Sequence, residues 1–160
     1  MEIRKKGDFI AGLPVSQKLV NLIESHADEL TMNWLLDVKR REDMPTYRTY
    51  DEKELYERAF TVYSQLGKWI SMETTTEEIA SYYKALGAQR RKEGFALSEV
   101  IQALIAIRRQ IWLKVQAEGF LDTVLDLSQT LELYNHVLRF FDRAIFFAAI
   151  GYEKGERKNF

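Results

Sequence analysis

One stretch limits the folds open to this chain more than any other. Between residues 124 and 152, Val124, Leu127, Leu131, Tyr134, Leu138, Phe141, Ile145, Ala148 and Tyr152 recur at alternating steps of three and four. That spacing is a heptad seam, and it predicts one unbroken helix with a face held against partners. At 1.5 Å per residue the helix would run roughly 43 Å. Residues 144–150 (AIFFAAI) are apolar in every direction. The pattern therefore predicts burial on all sides, at the centre of a bundle or against a second subunit.

The remaining chain supplies the bundle. Residues 1–14 read as an irregular lead-in, broken by Gly7, Gly12 and Pro14. Ser16 is placed to cap a first helix with Leu19, Leu22, Ile23, Leu30 and Trp34 on one stripe. DVKRRED closes that helix and Pro45 stops it. After the connector MPTYRTY, Asp51 and Glu54 have capping-box spacing and open a second helix through Leu55, Ala59, Val62, Leu66, Trp69 and Ile70. Thr75 and Glu78 open a third, with Ile79, Tyr82, Tyr83 and Leu86 inward; QRRKEG closes it, with Gly94 suited to a left-handed cap. A fourth runs from about Leu97 to Glu118 and ends at Gly119, and Asp122 is placed to cap the last helix. The tail KGERKNF, residues 154–160, is polar and expected to fray. No stretch alternates with period two over a strand length. The fold class is all-α: one domain over residues 1–160, about five helices in a bundle with a long C-terminal helix.

Charge and composition narrow the function. Lys and Arg number 23 against 24 Asp and Glu, a formal net charge of −1, without the basic excess of a nucleic-acid binder. The absence of cysteine excludes disulfides, thiolate metal sites and thiol catalysis, and fits a reducing, cytoplasmic setting. No apolar run is long enough for a signal peptide or a membrane span. Nucleophile elbows, phosphate-cradling glycine loops and histidine arrays are all missing, so the sequence does not read as an enzyme.

Five residues stand out as candidate ligand contacts. His26 falls on the apolar side of the first helix, and His136 lies two residues past Tyr134, off the seam. A single helical histidine can ligate haem, but a hydrogen-bonded, half-buried histidine is the commoner case and the preferred reading of each. Arg108 is in phase with Leu104 and Ile111, pointing partly inward, where it would anchor an anionic ligand or join an internal ion pair. Tyr47 and Arg48 sit in the first connector, where loops often carry binding residues but tyrosines also cover bundle ends. Arg90, Arg91 and Lys92 read as a solvated helix end. No metal-ligand spacing occurs.

Three segments carry a family resemblance: WLLDVKRRED followed by PTYRTYDEKELYERA; YKALGAQRRKEGFALSEVIQALIAIRRQIW; and LYNHVLRFFDRAIFFAAIGYE. Across residues 18–153 the chain resembles the N-terminal domain of RsbRD-type co-antagonists of RsbT, bacterial signalling input domains. The resemblance implies a sensory or regulatory helical domain with a globin-like fold but without haem. It also implies coupling to an output module of the STAS or histidine-kinase type, as in stressosome proteins. An output module would be expected after GYE, where this chain stops soon afterwards. It is then either a piece of a longer protein or a free-standing domain acting through a partner. The combined expectation is a non-catalytic signal-transduction input domain, a homodimer, with Leu131, Leu138, Phe141, Ile145 and Tyr152 marking the interface and signalling helix. The alternative is a small-ligand or haem-binding globin-like sensor.

Overall fold

The computed structural model describes residues 13–118 and 124–158. All its regular elements are helices: α1 (Leu13–Ser25), α2 (Ala27–Arg40), α3 (Pro45–Thr49), α4 (Glu52–Ser64), α5 (Leu66–Ile70), α6 (Thr76–Lys92), α7 (Leu97–Ala117) and α8 (Val124–Lys158). The expected all-α class holds, with eight helical segments among the described residues rather than five. Residues 1–12 of the expected lead-in, the stop at Gly119 and the Asp122 cap lie outside the described residues, while Leu13 and Pro14, also expected to be irregular, already belong to the first turn of α1.

Local chemistry accounts for the extra segments. The first predicted helix breaks at His26, whose backbone leaves helical geometry at φ −109°. Its Nδ1 donates to the Leu22 carbonyl at 2.8 Å, closing α1, while its own carbonyl accepts from Leu30 N to start α2. Ser16 lies within α1 rather than ahead of it. Pro45 does not simply stop the chain. It occupies the first turn of α3, where a missing N–H costs nothing, so MPTYRTY winds into one short helix. The second predicted helix breaks at Gln65, and Glu24 of α1 accepts from the Gly67 amide at 2.8 Å as α5 begins.

The helix ends follow their sequence signals. Asp51 accepts from Glu54 N at 3.1 Å. Thr75 and Glu78 complete a reciprocal capping box, with bonds of 3.1 and 2.8 Å. Gly94 adopts φ +95°, and Phe95 N and Gly94 N return to the Arg90 and Arg91 carbonyls. This is a Schellman close, which needs a residue without the left-handed steric penalty. Ahead of α7, Ala96 offers no side-chain acceptor, and Glu99 alone reaches back to its N–H at 2.9 Å.

α8 runs 35 residues, about 52 Å. It continues to Lys158, so the expected fraying from residue 154 gives way to helix as far as the description extends. Its buried face is centred one position away from the predicted seam. Thr130, Leu133, Val137, Phe140, Phe141, Ala144, Ala148 and Gly151 are buried. Of the seam itself, Phe141 and Ala148 are buried, and Tyr134, Leu138, Ile145 and Tyr152 are half-buried. Val124, Leu127 and Leu131 face solvent, at 85%, 39% and 50% exposure. Nor is the 144–150 run buried all round, since Phe146 stands 58% exposed. The reason is that α8 packs on one side only, chiefly against α6, with α7 and α1 adjoining.

The α6–α8 contact is backbone to backbone. A Cβ at Gly87 would stand 1.9 Å from the Ala148 carbonyl oxygen, and one at Gly151 would stand 2.0 Å from that of Lys84. Only glycine permits this approach. α7 lines the interior on the other side. Trp34 Nε1 donates to its Ala103 carbonyl at 3.0 Å and the Tyr63 hydroxyl to its Ile107 carbonyl at 2.9 Å. Among the described residues, no helix is long and apolar enough to cross a membrane.

Candidate functional site

Between α4 and α6 the packing leaves a cleft of about 260 Å³. Its floor is the apolar face of α7, with Val100, Ala103, Leu104 and Ile107; Leu55, Ala59 and Val62 of α4 form one wall. Tyr83, Leu86 and Arg90 of α6 form the other, and Trp34 and Tyr47 close the inner end. Glu57 and Thr61 lie at its solvent side, opposite Tyr82.

Tyr47 owes its position to a buried carboxylate. Glu99, 2% exposed, accepts from Thr46 N at 2.8 Å and from Ala96 N at 2.9 Å, joining the starts of α3 and α7. This places the Tyr47 ring against Phe95 at 4.6 Å and edge-on to Trp34 at 6.0 Å. Burial pushes the Tyr47 phenol well above its ordinary range, with the nearby arginines opposing.

The polar end of the cleft gathers four charges, Arg58, Arg90, Glu54 and Glu93. Arg58 of α4 makes a forked pair to Glu93 at 3.0 and 2.7 Å, and also meets the Tyr50 hydroxyl and Glu54. Arg90 reaches Glu93 only at 3.4 Å. Its side chain is 12% exposed. Burial, and the Arg58 charge beside it, press the Arg90 pKa down. For Glu93, burial works against the charge, but the bonds from Gln89 and Arg58 outweigh it and its pKa falls. Two turns before Arg90 on the same helix face, Tyr83 is fully buried and its hydroxyl has no hydrogen-bond partner. Burial raises its phenol far above the usual value.

Of the residues singled out from sequence, only Tyr47 lines this cleft. Arg48 is exposed and donates to the Arg40 carbonyl at 3.4 Å. Arg108 pairs with Asp142 of α8 at 3.7 Å. That contact sits at the surface rather than inside, since Asp142 is 72% exposed. His26 closes α1 at a distance from the cleft. His136 lines a separate cleft of about 300 Å³, with Arg139, Arg143 and Trp69, beside the first turn of α6. Neither histidine lines the first cleft, and no group of three metal-ligating side chains occurs among the described residues.

Sequence reasoning missed Tyr83, Arg90, Arg58 and Glu99. Arg90 corrects an expectation outright, because it lines the cleft with its side chain only 12% exposed rather than forming part of a solvated helix end. A signal was present. Ile79, Tyr83, Leu86 and Arg90 share one helical face, and an arginine at the end of an apolar stripe points inward.

Comparison with known proteins bears on the fold and role. No curated protein and no solved structure matches the chain. One family model does, the RsbT co-antagonist protein rsbRD N-terminal domain, over residues 29–159. That span takes in every helix from α3 to α7 whole, almost all of α2, and α8, and by it the chain belongs to the family of rsbRD N-terminal domains of RsbT co-antagonist proteins.

Proposed function

We propose that this chain is a non-catalytic signal-input domain that works through protein contacts along α8, pairing with a second copy of itself. The family's description names its members as co-antagonists of RsbT, which supports a regulatory role at an RsbT-dependent output of the STAS or kinase type in the cytoplasm. The observation that carries the pairing is the outer stripe of α8. Val124, Leu127 and Leu131 are exposed, and the same heptad spacing continues through Tyr134, Leu138 and Ile145, which are half-buried. Large apolar side chains repeating at that interval on an open face suit a two-helix seam. Phe141 and Tyr152, also on the spacing, serve the subunit interior and the α8 C-terminal anchor instead.

Light scattering after size exclusion tests this directly. Wild-type chain at micromolar concentration is expected to run as a dimer, and Leu131→Asp as a monomer with unchanged helical circular dichroism. A wild-type monomer, or a Leu131→Asp dimer, refutes the pairing. Phe141→Asp is not equivalent, because that ring is fully buried and its loss unfolds the domain.

A further inference from the structure

We propose that the groove between α2 and α7 is a docking surface for an acidic amphipathic helix of another protein, with Leu36 and Leu113 meeting its apolar side and Arg40 and Arg109 its carboxylates. The two helices lie side by side and antiparallel, since Trp34 reaches the Ala103 carbonyl while Glu29, earlier on α2, meets Lys114, later on α7. The groove between them measures about 460 Å³. Along α2 it extends from Asn33 to Arg40, two helical turns or about 10 Å. Its apolar lining is open to solvent. Leu36 is 60% exposed and Leu113 41%, and Met32, one turn before Leu36, is exposed as well. Large apolar side chains gathered in one open patch mark a contact surface.

A second observation is the amide at the base of the groove. Gln110 is only 9% exposed, yet its side chain makes no hydrogen bond among the described residues. Native structures pair nearly all such groups, so a buried amide that lines a groove marks a place where a polar group of an occupant belongs.

Charge selects the occupant. Asp37 is the single carboxylate of the lining, and Arg41 neutralises it at 3.2 Å. At the far end Glu29 is taken by Lys114 at 3.3 Å. Glu42 and Asp43 belong to the turn after α2 and do not line the groove. Arg40 and Arg109 are exposed, and neither guanidinium has a carboxylate partner among the described residues. Two positive charges therefore flank an apolar strip with nothing to balance them. Two adjacent helices offer a channel into which a third packs by ridges and grooves, and amphipathic helices commonly bind in this way. Acidic side chains at the margins of that third helix satisfy the arginines, and basic ones are repelled.

The inference does not rest on pairing through α8, because no lining residue belongs to that helix. Fluorescence anisotropy tests it with two labelled helical peptides of about 18 residues, roughly 27 Å long. One carries leucines along one face with an asparagine at the centre of that face and glutamates at its margins. The other is identical except for lysines in place of the glutamates. The full chain is expected to bind the glutamate peptide about tenfold or more tighter than the lysine peptide. Arg40→Glu combined with Arg109→Glu should reverse that preference. Leu36→Asp should abolish binding of both peptides. These side chains are exposed, so each variant should keep the wild-type circular dichroism. Gln110→Leu should weaken the glutamate peptide about fivefold, the loss of one neutral hydrogen bond. The proposal is overturned if the glutamate peptide does not bind, if the lysine peptide binds as tightly, or if the charge-reversed variant keeps the wild-type preference. It is equally overturned if either Leu36→Asp or the charge-reversed variant lowers the oligomeric state in light scattering, which would make a second copy of this chain the occupant.

Discussion

Replacing Gly87 with alanine asks whether the α6–α8 crossing is as close as its geometry indicates. The new methyl would meet the Ala148 carbonyl oxygen at 1.9 Å, the Ala148 carbonyl carbon at 2.8 Å and the Tyr152 nitrogen at 2.9 Å. All three are backbone atoms in the interior of a helix, so none can swing aside. Restoring ordinary contact, at about 3.5 Å, requires the two helices to part by roughly 1.5 Å. A gap of even 0.5–1 Å forfeits about a quarter to a half of each dispersion contact along the interface, here around Ile79, Tyr83, Phe140 and Ala144. Overpacking costs about 1–3 kcal/mol where side chains can yield, and here, with two backbones forced apart, roughly 3–5 kcal/mol. Against it stands the helix preference of alanine over glycine, about 1 kcal/mol. The net expectation is a loss of about 2–4 kcal/mol, a large share of the stability of a domain this size. At about 2–4 °C per kcal/mol, the melting temperature should fall by roughly 4–16 °C. The control is Gly155→Ala on the same helix, where the nearest atom is a side-chain carbon, Arg91 Cδ, at 3.3 Å. There the propensity gain should dominate, and stability should hold or rise by up to about 1 kcal/mol. Urea unfolding followed by tryptophan fluorescence and circular dichroism measures both. Equal or greater stability for Gly87→Ala, at an unchanged denaturant slope, would refute the reasoning.

Two other substitutions probe the residues that shape the cleft. Glu99→Gln replaces a buried carboxylate that accepts from two backbone amides with a group that accepts with only one of its two terminal atoms, and should cost about 2–3 kcal/mol in chemical denaturation. Hydrogen exchange at the Thr46 amide should quicken with it; unchanged protection there would show that Glu99 does not secure α3. Glu93 has a lower pKa folded than its ordinary 4.5. Below about that pH the unfolded chain binds the extra proton, so stability contributed by Glu93 is complete above 4.5 and drains away as the pH falls through the folded value. Glu93→Gln should flatten that acid limb of the stability–pH curve and cost about 2 kcal/mol at neutral pH. An acid limb identical to wild type would assign it to other carboxylates.

What the sequence made legible was whatever a single helix decides by itself. The Thr75–Glu78 box, the Asp51 cap and the Gly94 close depend on residues within a few positions of one another, and each formed. The long final helix was equally plain from its period. Its buried face was not, because two apolar stripes lie side by side on α8 and only α6 decides between them. Gly87 and Gly151 hold the clue, since the face that admits a backbone must be the one with small residues. The cleft was harder still. Arg58, Arg90 and Glu93 come from two helices, and Tyr47 is brought to them by Glu99, 52 positions later in the chain. Pairings at such separations leave no local period. The histidines and Arg108 attracted notice by residue type, and the fold distributes them to a helix break, a second cleft and a surface ion pair.

The Tyr152 hydroxyl donates to the Phe95 carbonyl at 2.7 Å, and the Arg91 guanidinium lies over the same tyrosine ring at 5.2 Å. With the glycine crossing just before it, α8 is gripped at its carboxyl end, while side chains bury steadily only from about Thr130 onward. Packed from Thr130 to Gly151, the helix leaves a largely exposed stub at residues 124–129, about 9 Å long. A displacement at the carboxyl-end anchor is therefore passed along the face shared with α6, α7 and α1 before it reaches that stub. Phe95 accepts from Tyr152 and packs against Tyr47, so the anchor of α8 and the inner end of the cleft are in direct contact.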